Sequence, residues 1–143
     1  MKKEKNKGFS LIELLVVITI IGVLIGVSFV GFSQARKSAR DSKRKADLEQ
    51  IRSALEIYRN DLKTYYASDS FPFGSSFSAG TDVYMQLVPQ DTLSPTYQYR
   101  YNFISANTYC ICAYLETLSA TQGTCDCGGN CGTAACNYKL SNP

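Results

Sequence analysis

An uninterrupted apolar run occupies the N-terminal part of the chain, which carries no charged side chain from Leu14 to Phe32. At the helical rise of ~1.5 Å per residue, this run spans roughly 28 Å, close to the ~30 Å hydrocarbon core of a bilayer. The pattern predicts one membrane-spanning helix. A secretory signal peptide is the alternative, but it needs a shorter apolar core and an A-x-A cleavage site, and none occurs before Gln34.

Beyond this run, hydrophobic positions recur every three or four residues, as they do on one face of a helix. They are Leu48, Ile51, Leu55, Tyr58, Leu62 and Tyr65. A thinner row of small residues comes before them: Ala35, Ala39, Ser42 and Ala46. Because no proline precedes Pro72 and no glycine lies between Gly31 and Gly74, we expect one helix from about Phe9 to about Leu62.

The C-terminal part has the pattern of loops and short strands. Residues 64–95 are rich in Ser, Gly and Pro, which predicts a loop-dominated connector with one helical turn near 82–87. Aromatic and polar residues alternate over 97–103, a second alternation covers 108–116, and a short last strand is expected at 137–140. The aromatic rows are expected to pack against the helix and not to stack on sugars or bases. A long helix followed by antiparallel strands predicts an α+β fold.

All six cysteines lie in this C-terminal part, and the predicted helix has none. They are Cys110, Cys112, Cys125, Cys127, Cys131 and Cys136. An even cysteine count in a small exported domain favours disulfides, of which the connectivity stays open. Cys110 and Cys112 share one face of a predicted strand, so we expect each to bond into the later cysteine-rich loop and not to the other. A thiolate zinc site is the alternative, although the chain has no histidine and lacks Cys-x2-Cys pairs.

Charged residues cluster on both sides of the apolar run. Lys2, Lys3, Lys5 and Lys7 precede it, and Arg36, Lys37, Arg40, Lys43, Arg44 and Lys45 follow it, relieved by Asp41. We expect the second group to contact lipid headgroups or to form a solvated, partner-facing surface. Residues 1–8 carry four of the 15 basic and one of the 12 acidic side chains, so residues 9–143 carry eleven of each. That balance gives no reason to expect specific nucleic-acid binding.

Catalytic chemistry is not indicated. The sequence offers no nucleophile with an adjacent base, no carboxylate pair and no phosphate-binding loop, so we expect neither an enzyme nor a cofactor or metal site. Asp126 and Asn130 by themselves do not make a calcium site.

Glu13 is the only formally charged residue from Gly8 to Ala35. A carboxylate at the edge of a membrane helix is costly unless a partner neutralises it. Cleavage after Gly8 would create such a partner, because the new α-amino group of Phe9 has an ordinary pKa near 8 and is mostly cationic at neutral pH. The two residues are four positions apart, so they lie on one face of a helix.

The segment Lys7-Gly8-Phe9-Ser10-Leu11-Ile12-Glu13, with the lysines before it, resembles the class III leader of bacterial type IV pilins and type II secretion pseudopilins. The resemblance implies that a membrane-embedded prepilin peptidase cuts after Gly8 and methylates Phe9. It also implies that Glu13 pairs with the Phe9 amine of a neighbouring subunit as a filament grows. Pairing within one molecule is the alternative.

The resemblance further implies the pilin fold, in which a long N-terminal helix packs on a small antiparallel sheet that carries a disulfide-rich C-terminal loop. The expected parts are a cleaved leader (1–8), a transmembrane and filament-core helix (9–32), its amphipathic continuation (33–63) and a globular α+β head (64–143). The expected partners are further copies in a filament, the prepilin peptidase and methyltransferase, the inner-membrane pilus or secretion machinery, and membrane lipid before assembly.

Two functional hypotheses follow from these observations. The first is a structural subunit that is held in the cytoplasmic membrane with its N-terminus inside and is then assembled into an extracytoplasmic or cell-surface filament. The second is a monomeric, membrane-anchored binding domain whose cysteine-rich loop takes a metal or ligand. The sequence leaves open whether a filament would serve secretion, adhesion, motility or DNA uptake, and whether the chain is a major or a minor subunit.

Overall fold

One long helix and seven short strands make up the part of the chain that the structure describes. The computed structural model describes residues 8–142, without the side chains of residues 27–30, so the four leader lysines lie outside the described residues. Helix α1 covers Leu11–Leu62, 52 residues. The chain divides between Arg36 and Lys37 into two compact units, here called the N-terminal and the C-terminal unit.

In the N-terminal unit, α1 is apolar and exposed on every described face. It contains a stretch that is long and apolar enough to cross a membrane, with a mean hydropathy of 2.8 and none of it buried. The apolar residues that predicted a membrane-spanning helix are therefore all helical, and no other described residue of this unit covers the side chains that are described.

In the C-terminal unit, the predicted helical stripe forms one wall of the core. Leu48, Ile51 and Leu55 are fully buried. The prediction is wrong at the end of the stripe, because Leu62 is 46% exposed. Tyr65 is buried as predicted, but it lies beyond the end of α1 and reaches the core from the following loop.

Residues 77–85 differ from the prediction of a loop with one helical turn. They form an antiparallel hairpin of β1 (Phe77–Ala79) and β2 (Asp82–Met85). Gly80 supports the tight turn with a positive φ of 61°. The hairpin was not predicted because its strands are too short to show an alternating pattern in the sequence. It packs on α1 through the buried ring of Phe77, which stacks on Tyr58 with 5.1 Å between the ring centroids.

The central sheet is antiparallel with the order β3 (Arg100–Ser105), β4 (Thr108–Ala113) and β7 (Tyr138–Ser141). The alternation predicted for the middle strand is confirmed. Tyr109, Ile111 and Ala113 pack into the core with α1, whereas Cys110 and Cys112 face a second cluster of buried sulfur atoms. The predicted α+β fold is thus the observed one, with the sheet between α1 and the cysteine-rich loop.

Two more strands, β5 (Asn130–Cys131) and β6 (Ala134–Ala135), pair within the cysteine-rich loop and were not predicted. This loop is tied to the segment before β3, since the Thr133 N–H donates to the Thr96 carbonyl oxygen at 2.9 Å. Gly132 makes this close approach possible. It has a positive φ of 81°, and a Cβ there would collide with the Thr96 carbonyl oxygen.

Candidate functional site

The predicted cleavage position lies just before α1. The side chain of Phe9 is 92% exposed, and a Cβ placed on Gly8 would meet no atom within 4 Å. Among the described residues, nothing covers the peptide bond between Gly8 and Phe9.

Ser10 and Glu13 cap the N-terminus of α1. The Ser10 N–H donates to Glu13 Oε2 at 2.9 Å, and the N–H groups of Glu13 and Leu14 donate to the Ser10 carbonyl oxygen at 3.1 and 3.3 Å. This arrangement is half of a capping box, and it also places a carboxylate at the positive end of the helix dipole. The sequence analysis did not predict this cap, although the spacing of Ser10 and Glu13 is the S-x-x-E pattern of a capping box.

The side chains that follow the cap on α1 are apolar and uncovered. Leu11, Ile12 and Leu14 are 81%, 67% and 62% exposed, and the large apolar residues from Leu15 to Phe32 whose side chains are described are about half exposed or more. An apolar surface that extends over six turns of helix is not stable in water. Lipid, other helices or both must cover it.

In the C-terminal unit, buried charges centred on Arg44 join α1 to two distant segments. Arg44 is 1% exposed and donates to Asp91, to Asp41 Oδ1 at 2.8 Å and to Glu116 Oε1 at 2.9 Å. Arg40 makes a bidentate pair with Glu116 at 2.7 and 2.6 Å. The cluster fixes α1 to the loop before β3 and to the segment after β4.

Two carboxylates of this cluster, those of Asp41 and Glu116, have a lowered pKa and are held in their charged form. Burial alone would raise the pKa of Asp41, but the Thr117 hydroxyl, the N–H groups of Glu116 and Thr117 and the Arg44 guanidinium outweigh it and hold this pKa below its usual value. The hydrogen bonds from Arg40, opposed by burial and aided by Arg44, lower the pKa of Glu116. Burial works against the charge of Arg44, and its bonds to Asp91 and Glu116 nevertheless raise its pKa.

The prediction that the basic segment is lipid-facing or solvated is wrong for these two arginines. Arg44 is buried and Arg40 is paired with Glu116. The sequence held one signal of this, since Asp41 is the only acid in the segment and lies three positions before Arg44. The partners could not be detected from the local sequence, because Asp91 lies 47 positions and Glu116 72 positions after Arg44.

The six cysteines form three disulfides, Cys110–Cys125, Cys112–Cys127 and Cys131–Cys136. The predicted disulfide-rich loop is therefore confirmed, and Cys110 and Cys112 bond to different cysteines of the loop. The sulfur atoms of Cys110, Cys112 and Cys127 lie within 4.8 Å of one another. In this oxidised form they are disulfide sulfurs, which lack the thiolate charge that zinc requires.

The cavity beside the Arg44 cluster is small. Its volume is about 220 Å³, and its walls include Phe73, Tyr99 and Asp91. Ligand pockets typically have ~300–1,000 Å³. Both oxygens of Asp91 already accept hydrogen bonds from Arg44. Asp91 is thus already occupied within the fold and offers little to a ligand.

Comparisons with known proteins agree with the features at the N-terminus. A family model described as the prokaryotic N-terminal methylation motif matches residues 3–29. The chain is 27% identical over 109 residues to the type II secretion system core protein G of Aeromonas hydrophila, which covers 68% of this chain and 75% of that protein. It is 34% identical over 62 residues to the protein of the same name from Escherichia coli K12, with 43% of each covered.

A fourth similarity is to the type IV major pilin protein PilA of Myxococcus xanthus, 30% identical over 61 residues, which covers 43% of this chain and 28% of that protein. No solved structure matches the chain.

Proposed function

Because the chain belongs to the family of type IV pilins and type II secretion pseudopilins and is a structural subunit of a pilus or pseudopilus, we propose how it is processed and assembled. A prepilin peptidase cuts between Gly8 and Phe9 and methylates the new amine. The processed chain waits in the cytoplasmic membrane until the inner-membrane machinery adds it to a filament. The exposure of Phe9 and the open surroundings of Gly8 support cleavage at this bond.

The pairing of Glu13 with the Phe9 amine of a neighbouring subunit is the centre of this proposal. Glu13 already accepts the Ser10 N–H through Oε2 within its own chain, whereas Oε1 accepts no hydrogen bond from the described residues. One oxygen can therefore cap the helix while the other binds a cation. Since an unpaired buried charge costs several kcal/mol, an arriving subunit without this pair is strongly disfavoured.

The exposed apolar surface of the N-terminal unit supports polymerisation through α1. Gly22 and Gly26 add to this, because a Cβ at either position would meet nothing within 4 Å in the single chain. Glycine inside a helix costs ~1 kcal/mol relative to alanine. No contact within the described part of the single chain offsets this cost, whereas close packing of a neighbouring helix against the two glycines would offset it.

The disulfides and the family resemblance together support the orientation. Disulfides persist in oxidising compartments, which supports a location of the C-terminal unit outside the cytoplasm. The leader carries four lysines and the segment after the apolar run carries six basic residues, so the charge balance does not decide the orientation, and the resemblance to prepilins favours a cytoplasmic N-terminus. A single span connects these two locations.

Intact mass of the chain coexpressed with a prepilin peptidase tests the proposed processing. We expect a product that lacks residues 1–8 and carries one added methyl group. Gly8→Val should block the cut, whereas Gly80→Ala, which alters a distant glycine, should not. An uncut wild-type chain would contradict the proposal and favour the monomeric, membrane-anchored binding domain.

A further inference from the structure

The C-terminal unit carries exposed cations where α1 enters it and exposed carboxylates where α1 ends. Lys37, Lys43 and Lys45 are exposed, and none of them forms an ion pair with a described residue. Their neighbours Arg40 and Arg44 differ, because both are neutralised inside the unit. The three lysines are thus the surplus charge at this end.

The carboxylates at the other end come from two elements. Asp61 lies in the last turn of α1, and Asp82 begins β2. Both act on the phenol of Tyr84, whose pKa is raised first by burial, then by Asp61 and then by Asp82. Lys63, which follows the last residue of α1, donates to the Asn60 carbonyl oxygen at 2.6 Å and forms no ion pair with a described acid.

Asp61 is also poorly placed within its own chain. The C-terminal end of a helix carries a partial negative charge, so a carboxylate in the last turn is unfavourable there and a cation is favourable. A cation supplied from outside would therefore be stabilised by both the carboxylate and the helix end.

Lys43 and Asp61 lie on the same side of α1. They are separated by 18 positions, which is five full turns of about 3.6 residues, or roughly 27 Å along the axis. Exposed charges this far apart are screened from each other, because the Debye length is ~8 Å at physiological ionic strength. The two ends cannot neutralise each other within one copy.

We propose that these two ends bind each other between copies, with Lys43 of one subunit paired to Asp61 of the next. The inference rests on the proposed function, since it needs a filament. A contact between two different patches repeats head to tail and generates an open helical array, as a filament requires. Because 18 helical positions separate Lys43 from Asp61 and only four separate Phe9 from Glu13, the two pairs join each subunit to different copies along the filament.

A second copy fits these surfaces better than lipid does. Anionic headgroups would bind the lysines but would leave the negative charges of Asp61, which is hydrogen-bonded to Tyr84, and of Asp82 without a cation. The acidic end also exposes two apolar side chains. Val83, next to Asp82 in β2, is 55% exposed, and Leu87, which follows β2, is 67% exposed. Apolar side chains beside charges are typical of a protein contact.

Cross-linking in assembled filaments tests the pair directly. Lys43→Cys and Asp61→Cys are introduced into separately tagged full-length subunits, which are coexpressed with the assembly machinery and treated with a short bismaleimide. The six native cysteines are bonded to each other and do not react. Lys45→Cys with Asp61→Cys is the matched control, because Lys45 is two positions away and points to the other side of α1.

Charge reversal is the second measurement. We expect Lys43→Glu and Asp61→Lys each to lower the yield of sheared filaments at least about threefold, and the double swap to restore it to within about twofold. Lys45→Glu and Glu49→Lys serve as controls. Protease resistance of the C-terminal unit in the membrane pool shows whether each variant is folded.

Each outcome is decisive. A cross-link for Lys43→Cys with Asp61→Cys, absent for the control pair, together with rescue by the swap, supports the inference. Normal filaments without that cross-link overturn it and leave the proposed function intact. If Lys43→Glu no longer binds vesicles that contain anionic phospholipid, and the cross-link is also absent, lipid is the partner of Lys43 and the inference is overturned. Absence of filaments from the unaltered chain contradicts both.

Discussion

Arg44 donates to both carboxylate oxygens of Asp91, 47 positions further along the chain, and both side chains are almost completely shielded from solvent. The pair connects α1 to the loop that precedes the central sheet. A buried ion pair of this kind adds little net stability compared with apolar residues, but loss of one member leaves an uncompensated charge inside the protein.

Removal of Asp91 is therefore expected to be severe. Asp91→Ala should lower the free energy of unfolding by about 3–5 kcal/mol, because the Arg44 charge stays buried with fewer partners. Urea unfolding of the full-length chain in detergent, followed by the near-ultraviolet signal of its tyrosines, measures this. Glu49→Ala is the control, since its pair with Arg52 is exposed and 3.5 Å long and should be worth less than about 1 kcal/mol. Equal effects of the two variants would contradict the role of the cluster.

The lowered pKa values of Asp41 and Glu116 predict sensitivity to acid. A carboxyl group whose pKa is lower in the folded than in the unfolded chain stabilises the fold above its unfolded value, and this stability disappears as the pH falls through the folded value. The ordinary values are 3.8 and 4.5. We expect the free energy of unfolding to change little from pH 7 to about 5 and to fall steadily below about 4.5.

Asp41→Asn separates this effect from general acid unfolding. The variant should be less stable than the wild type at pH 7 and should lose less stability on acidification, since one of the two titrating groups is gone. Parallel pH profiles for the two chains would show that Asp41 does not carry the effect.

Tyr99 and Tyr109 are both buried tyrosines but should respond in opposite ways to loss of the hydroxyl group. The Tyr99 hydroxyl donates to Asp47 Oδ2 at 2.7 Å, so Tyr99→Phe should cost about 1–3 kcal/mol. The Tyr109 hydroxyl is the one buried side-chain oxygen or nitrogen without a hydrogen-bond partner among the described residues. Tyr109→Phe should therefore be neutral or stabilising. Urea unfolding of both variants checks this, and a large loss for Tyr109→Phe would reveal a partner for that hydroxyl.

The disulfides that close long loops should contribute more to stability than the one that closes a short loop. Cys110–Cys125 closes a loop with a sequence separation of 15, and Cys131–Cys136 one of 5. On the chain-entropy account the first is worth about 3 kcal/mol and the second about 2 kcal/mol. Cys110 is also completely buried, whereas Cys136 is partly exposed. Paired Cys→Ser variants, compared by urea unfolding, should rank in this order, and the reverse order would contradict it.

The sequence predicted those parts of the fold that repeat locally. Leu48, Ile51 and Leu55 recur with the helical period, and Tyr109 and Ile111 alternate with the cysteines of β4, so burial follows from spacing alone. The hairpin β1–β2 was missed because three- and four-residue strands show no period.

The buried cluster around Arg44 was missed for a different reason. Its partners are brought together only by the tertiary fold. From the local sequence alone, an arginine that follows an apolar run is expected to be exposed at the surface. The same limit applied to the choice of disulfide partners, which depends on how the loop after β4 folds back on the sheet.

Filament yield of Glu13→Gln measures the central claim most directly. The substitution keeps the shape of the side chain and an oxygen that can accept the Ser10 N–H, but it removes the charge that would bind a neighbour's amine. We predict that the chain is still cut after Gly8, as shown by intact mass, and that sheared filaments are almost absent, while Glu49→Gln assembles normally. Filaments from Glu13→Gln at the wild-type rate would contradict charge-guided assembly.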